Sequence, residues 1–257
     1  MFLSNVEFDD PEQLYSLLKH FPLVKDLTMQ AVSFQNHESS NSPNDLNLEK
    51  LTLGGRPAPH FLSSFCSIDA LRAFPTLREL RVPGRWLEDY SYILYTLRAC
   101  TSLRILHVTS PQNMITWKVI PPLGLNYIEE LRFGTGFRAS SRRSGVRALQ
   151  WWIDSFTYVE GVAPLQKVVL EIHGNILLGS DKEDLWSELD RAVTRPQFSS
   201  LQTFTIIFHR LGGHSCGAKD LIWAKFIELR NREVLKVMEC QLQLAIQNLP
   251  EYNHWEI

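Results

Sequence analysis

A short apolar unit that returns at a near-constant spacing constrains this chain more than any other feature. The unit is L-x-x-L-x-L, with aliphatic or aromatic variants. It appears as Leu23-Leu27-Met29, Leu48-Leu51-Leu53, Leu77-Leu80-Val82 and Leu103-Leu106-Val108. It continues as Ile128-Leu131-Phe133, Leu165-Val168-Leu170-Ile172 and Leu201-Phe204-Ile206-Phe208. Successive starts lie 25, 29, 26, 25, 37 and 36 residues apart. The first four intervals match a structural repeat of about 20–29 residues, and the last two leave room for longer helices or insertions. The final apolar positions of each unit alternate, which is the period of a strand with one buried face.

Helical patterns separate the units. Asp10 precedes Pro11 and Gln13, a capping-box arrangement ahead of Leu14, Leu17, Leu18 and Phe21. Tyr90, Ile93, Leu94 and Leu97 share one helical face, as do Val146, Leu149, Ile153 and Phe156 in a helix expected from about Ser144. Ser180 and Glu183 form a second capping box before Leu185, Leu189 and Val193, and Pro196 ends that helix. A doubly wound sheet needs long strands that are apolar on both faces. Here the alternate positions are polar, as in Lys25, Asp26 and Thr28 or Arg78, Glu79 and Arg81, so one face meets water. The expected fold is therefore α/β, a leucine-rich-repeat-like solenoid or horseshoe with parallel concave strands and convex helices. Residues 1–210 form the degenerate solenoid, and 211–257 add a Gly-rich loop and a C-terminal capping helix to the same domain. Leu235, Met238, Leu242, Ala245 and Leu249 recur at helical spacing there, and a solenoid's open end needs a cover.

The units resemble leucine-rich repeats, and the texture fP-x-L-x-x-L-x-L after an amphipathic helix resembles the repeat region of fungal F-box/leucine-rich-repeat proteins. The likeness covers roughly residues 1–210 by period and pattern. It implies a protein-binding module that recognises substrates for a ubiquitin ligase. Two departures stand out. Where the repeat carries Asn or Cys three residues beyond the last strand position, this chain has Val32, Arg56, Arg85, Pro111 and Gly136. The Leu-Pro pair of an F-box helix is not near the start, and Leu249-Pro250 lies at the other end.

Charge argues against one class of partner. The 26 Lys+Arg against 28 Asp+Glu leave a formal net charge of −2, so nothing in bulk attracts nucleic acid. No window approaches the roughly 18 uninterrupted apolar residues of a membrane span. The opening MFLSNVEFDD lacks a basic region and a long apolar stretch, so it does not read as a signal peptide. The cysteines Cys66, Cys100, Cys216 and Cys240 form no CxxC pair, and Cys66 and Cys100 read as small buried hydrophobes. A reducing location, cytoplasm or nucleus, is expected.

Four motifs compete with this reading. Gly213-His214-Ser215-Cys216-Gly217 is a G-x-S-x-G, and a serine hydrolase with its nucleophile at Ser215 is the main alternative function. Arg210, Leu211 and Gly212 separate the motif from its strand, and His254 is the only later histidine, so a Gly-rich connection explains it better. His209, His214 and Cys216 are close in sequence but match no standard metal spacing, and a polar loop is expected. Gly134-Thr135-Gly136-Phe137-Arg138-Ala139 matches G-x-G-x-x-A, but no acidic residue follows at the end of a second strand, so turn glycines are expected. Arg138, Arg142, Arg143 and Arg147 cluster without an acid, which makes an anion or nucleic-acid binder the third class. A solvated surface explains them more simply.

The binding face follows from strand period. The residue between the two buried positions of each strand points to the concave side, giving Thr28, Thr52, Arg81, His107, Arg132, Val169 and Thr205. Arg81, His107 and Arg132 are the candidate protein-binding residues, suited to an acidic or phosphorylated partner segment. Glu79 and Glu130 in the neighbouring column can instead neutralise the arginines. No catalytic, cofactor-binding or metal-ligating residue is assigned, and neither a membrane nor nucleic acid is expected as partner.

Overall fold

Seven repeats of one apolar unit become seven strands of one sheet. The computed structural model of the protein describes residues 1–36, 47–54, 76–83, 100–109, 121–137, 142–174, 183–210 and 218–241. Its strands are β1 (Phe2–Ser4), β2 (Glu7–Phe8), β3 (Asp26–Gln30), β4 (Ser33–Phe34), β5 (Lys50–Gly54) and β6 (Glu79–Pro83). They continue as β7 (Ile105–Thr109), β8 (Glu130–Phe137), β9 (Lys167–Gly174), β10 (Thr203–Arg210) and β11 (Leu235–Gln241). Nine of them form one open sheet in the order β1-β3-β5-β6-β7-β8-β9-β10-β11, every pair parallel. The two-residue strands β2 and β4 pair apart from it, with Phe8 stacked on Phe34 at 6.0 Å.

Six consecutive strands, β5 to β10, enter the sheet in the same way. The carbonyls of Lys25, Glu49, Arg78, Arg104, Glu129 and Gln166 each accept two amide hydrogens from the start of the next strand, at 2.8–3.1 Å. This shared acceptor holds the turn before the strand and fixes the register. It is why one sequence period yields one geometry.

Register then stacks the apolar positions into rows. Leu27, Leu51, Leu80, Leu106, Leu131, Val168, Phe204 and Leu235 form one buried row. Met29, Leu53, Val82, Val108, Phe133, Leu170 and Ile206 form the next, and the leading Leu48, Leu77, Leu103, Ile128, Leu165 and Leu201 are buried at the turns. The first unit is shifted by one residue. Leu23 is 91% exposed, and Val24 packs against the core in its place.

Helices cover the apolar face. In α1 (Pro11–Lys19) the cap is as expected: Asp10 Oδ1 accepts from Gln13 N at 2.9 Å. The Gln13 side chain reaches back to Asp9 N at 3.0 Å. α2 (Arg142–Tyr158) packs Trp152 and Phe156 on Phe133 of β8, with ring centroids 4.4 and 6.0 Å apart. α3 (Glu183–Val193), α4 (Ala218–Lys225) and α5 (Ile227–Asn231) continue the layer, and Phe226 lies between Trp186 of α3 and Phe204 of β10.

Two expectations need correction. Residues 235–241 are a strand, not part of a long capping helix: β11 pairs with β10 along its length. Alternation decides this, since Leu235 is buried, Lys236 and Met238 are exposed, and Val237 packs on the core. Gly134 and Gly136 are not turn residues but stand inside β8, opposite Glu171 and His173 of β9. The helix expected at 88–97, together with Cys66, Ser180 and residues 242–257, lies outside the described residues.

Candidate site on the open face of the sheet

Residues between the buried rows point to the other face. Pairing places Thr28, Thr52, Arg81, His107, Arg132, Val169 and Thr205 side by side across seven strands, the row read from the sequence. Phe2 precedes it on β1 and Lys236 follows on β11. The preceding row holds Asp26, Lys50, Glu79, Ile105, Glu130, Lys167 and Thr203.

Charges on this face are matched within the chain. Arg81 Nε donates to Glu79 on its own strand, two residues back, and Lys50 lies 4.0 Å from the same carboxylate. Glu130 accepts from Lys167 Nζ at 3.0 Å and stands 3.5 Å from His107 Nε2. Arg132 does not turn to Glu130. It reaches across to β9, where Arg132 Nε donates to Glu171 Oε1 at 3.0 Å and Nη2 bonds to the same oxygen. Gly134, opposite Glu171 in register, has no side chain to obstruct that reach.

His107 sits between the two arginines, in surroundings that favour its uncharged form. Burial lowers its pKa below the ordinary value, the Arg81 charge adds to this, and the nearby Glu130 carboxylate only partly offsets them. The three central residues are therefore two matched cations flanking a ring whose uncharged form is favoured.

A second group lies further along the same face, at the carboxyl ends of β9 and β10. Pairing sets His173 opposite His209, and their rings stack at 4.3 Å with 3° between planes. Glu171, 8% exposed, lies beneath them, with Oε2 at 3.7 Å from His173 Nε2 and Oε1 at 3.5 Å from His209 Nε2. Such separations make these electrostatic contacts, not good hydrogen bonds. Burial pushes the Glu171 carboxyl up. The facing His173 and His209 and the paired Arg132 outweigh that and hold it well below the usual carboxylate range. Glu171, His173 and His209 are the one set among the described residues whose ligand atoms converge as a metal would require.

The sequence pointed to His209 beside His214 and Cys216, and the structure sets it against His173. His214, Ser215 and Cys216 lie outside the described residues, whereas His173 is 36 residues earlier in the chain. The signal was present: the strand units of β9 and β10 repeat at 36 residues, and extending their alignment by one position pairs the two histidines. Of the arginine cluster, Arg147 is exposed on α2, Arg142 and Arg143 begin that helix, and Arg138 lies outside the described residues. Trp152 is fully buried, and Trp151 donates its indole N–H to Pro121 O at 3.1 Å, so neither offers a stacking surface. No protein-family model and no curated protein matches this chain.

Proposed function

We propose that this chain is a non-enzymatic protein-interaction module, a leucine-rich-repeat-like solenoid that binds its partner on the open face of the sheet. The observation that carries the reading is the in-register polar row through Thr28, Thr52, Arg81, His107 and Arg132. Parallel strands that follow one another across a sheet, joined by the right-handed crossovers that proteins favour, send every connection over the same face. The other face is left for a ligand, as in solenoids generally. The resemblance to fungal F-box/leucine-rich-repeat proteins adds substrate recognition for a ubiquitin ligase adaptor, and that part rests on the resemblance alone.

An acidic or phosphorylated segment suits the row. Each guanidinium carries five N–H donors, and the carboxylates of Glu79 and Glu171 occupy only some of them. Thr52 lies beside Arg81 in the row. The test is quantitative affinity capture from cells with the wild-type chain, with Thr52→Glu/Arg81→Ala, and with Arg147→Ala on the helical side. Proteins held by the wild type and by Arg147→Ala should be lost from the open-face variant. An unchanged set of captured proteins, in a variant that melts like the wild type, would remove this face from consideration. Arg132 is left out of the first variant because its removal strands the buried Glu171 charge and costs stability by itself.

A further inference from the structure

We propose that Glu171, His173 and His209 bind a divalent transition-metal ion, with zinc(II) the best fit, and that this ion ties β9 to β10 at their carboxyl ends. The inference is independent of the interaction reading. It rests on three observations about one cluster.

The first is convergence. Parallel register places the imidazoles of His173 and His209 side by side, and both Nε2 atoms face the Glu171 carboxylate at 3.7 and 3.5 Å. All three ligand atoms lie within 4.8 Å of one another. Ligands of a tetrahedral zinc ion at about 2.0–2.1 Å from the metal stand about 3.3 Å apart, so seating an ion requires the triangle to contract and the two stacked rings to rotate until their Nε2 atoms converge.

The second is an unsatisfied atom. His209 Nε2 is buried and has no hydrogen-bond partner. A buried ring nitrogen without a partner is costly, and this one is aimed at a carboxylate too distant to bond it well. A metal ion between them satisfies both groups, because neutral imidazole and ionised carboxylate are its natural ligands.

The third is outer support. Arg132 holds Glu171 through Oε1, the oxygen nearer His209, and leaves Oε2, the oxygen facing His173, for an ion that both histidines would share. A carboxylate has lone pairs enough for both roles. Hydrogen bonding of this kind fixes the orientation of ligating carboxylates in metal sites. Two imidazoles and one carboxylate suit zinc and its neighbours rather than magnesium or calcium, which prefer all-oxygen surroundings. The fourth position faces the open side of the sheet, where His173 is 40% exposed and a water completes the coordination. Cys240, exposed on β11 in register with His209, lies next to the site without being one of the three ligands.

The experiment uses the full chain, stripped with a chelator and titrated with Zn(II) against a chromophoric competitor. One equivalent should bind with micromolar affinity or better, and Co(II) should give the intense visible bands of a four-coordinate site. His173→Ala and His209→Ala should each weaken binding by more than the 10- to 100-fold typical of outer-shell changes. Zn(II) should raise the melting temperature of the wild type and not that of either variant. Cys240→Ser should retain binding. Glu171→Gln also disturbs Arg132, so the partly exposed His173 carries the decisive substitution. Failure of the wild type to take up Zn(II), Co(II) or Ni(II) would overturn the proposal. So would undiminished uptake by a folded His173→Ala/His209→Ala chain, or loss of binding on Cys240→Ser with His173→Ala unaffected.

Discussion

His107 shows how a row position acquires chemistry that its residue type alone does not give. An isolated histidine titrates near pH 6.5. In the sheet it is half-buried between Arg81 and Arg132, and its pKa is lowered by burial first and then by the Arg81 charge. The unfolded chain therefore takes up a proton at this residue at a higher pH than the folded chain does. Linkage fixes the sign: wherever the unfolded state binds more protons, stability rises with pH. The contribution of His107 is complete above about pH 6.5 and is withdrawn as the pH falls below it. Urea unfolding of the wild type and of His107→Gln between about pH 8 and pH 5 measures this, and the stability difference between them should shift against the wild type on acidification. Parallel pH profiles would mean that His107 titrates alike in the folded and the unfolded chain, so that the fold does not lower its pKa. The position of this residue was legible, because strand period alone assigns it to the row. Its charge state was not, because burial and the placement of Arg81, Glu130 and Arg132 around it come from pairing between strands.

At the scale of elements, one row of side chains carries much of the sheet's cohesion. Leu80 and Leu106 are fully buried, face each other across β6 and β7, and sit among leucines of the adjoining strands. Truncating either to Ala leaves a cavity that a parallel sheet cannot close without moving several strands, so each should cost about 2–5 kcal/mol. Denaturant titration measures this directly, and a loss below about 1 kcal/mol would mean the row collapses easily. These rows were readable because the alternation inside each unit leaves only one register that buries all of them. Two elements were misread for identifiable reasons. At Leu23-Leu27-Met29 the first gap is one residue longer than in the other units, so the leading position belongs to Val24 and Leu23 is left in solvent. In residues 235–241, Leu235 and Met238 are three apart and mimic a helical face. Yet Met238 is exposed, and the pair that counts is Leu235 and Val237. The eight-residue length of β8, which draws Gly134 and Gly136 into the sheet, follows from pairing with an equally long β9.

At the scale of the whole molecule, the two edges of the sheet are treated differently. The β1 edge is three residues long, and a short edge strand offers little template for unwanted pairing. At the other end β11 pairs with β10 along seven residues, and α4 and α5 cover the adjoining apolar surface. Phe226 fills the space between Phe204 and Trp186, and Leu229 is fully buried. Asp190 of α3 ties this segment down: its carboxylate accepts from Glu228 N at 2.8 Å and from Leu229 N at 3.0 Å. Burial raises the Asp190 pKa, and those two amides oppose the rise. Two short helices and a strand therefore cover the apolar surface at this end of the sheet, and their role can be tested by removal. A chain ending at Gly217 loses the partner strand of β10, the aromatic plug at Phe226 and both amide donors to Asp190. What it leaves is an eight-residue strand with unpaired backbone groups beside newly exposed Phe204 and Trp186. Both features promote association between chains. The truncated protein should be insoluble, or soluble only as an aggregate that binds a hydrophobic dye, as sedimentation and dye fluorescence would report. A monomeric truncation with a native circular-dichroism spectrum and an unchanged melting temperature would mean that the fold ends at β10. In that case β11, α4 and α5 would be an appendage rather than the cover of the sheet.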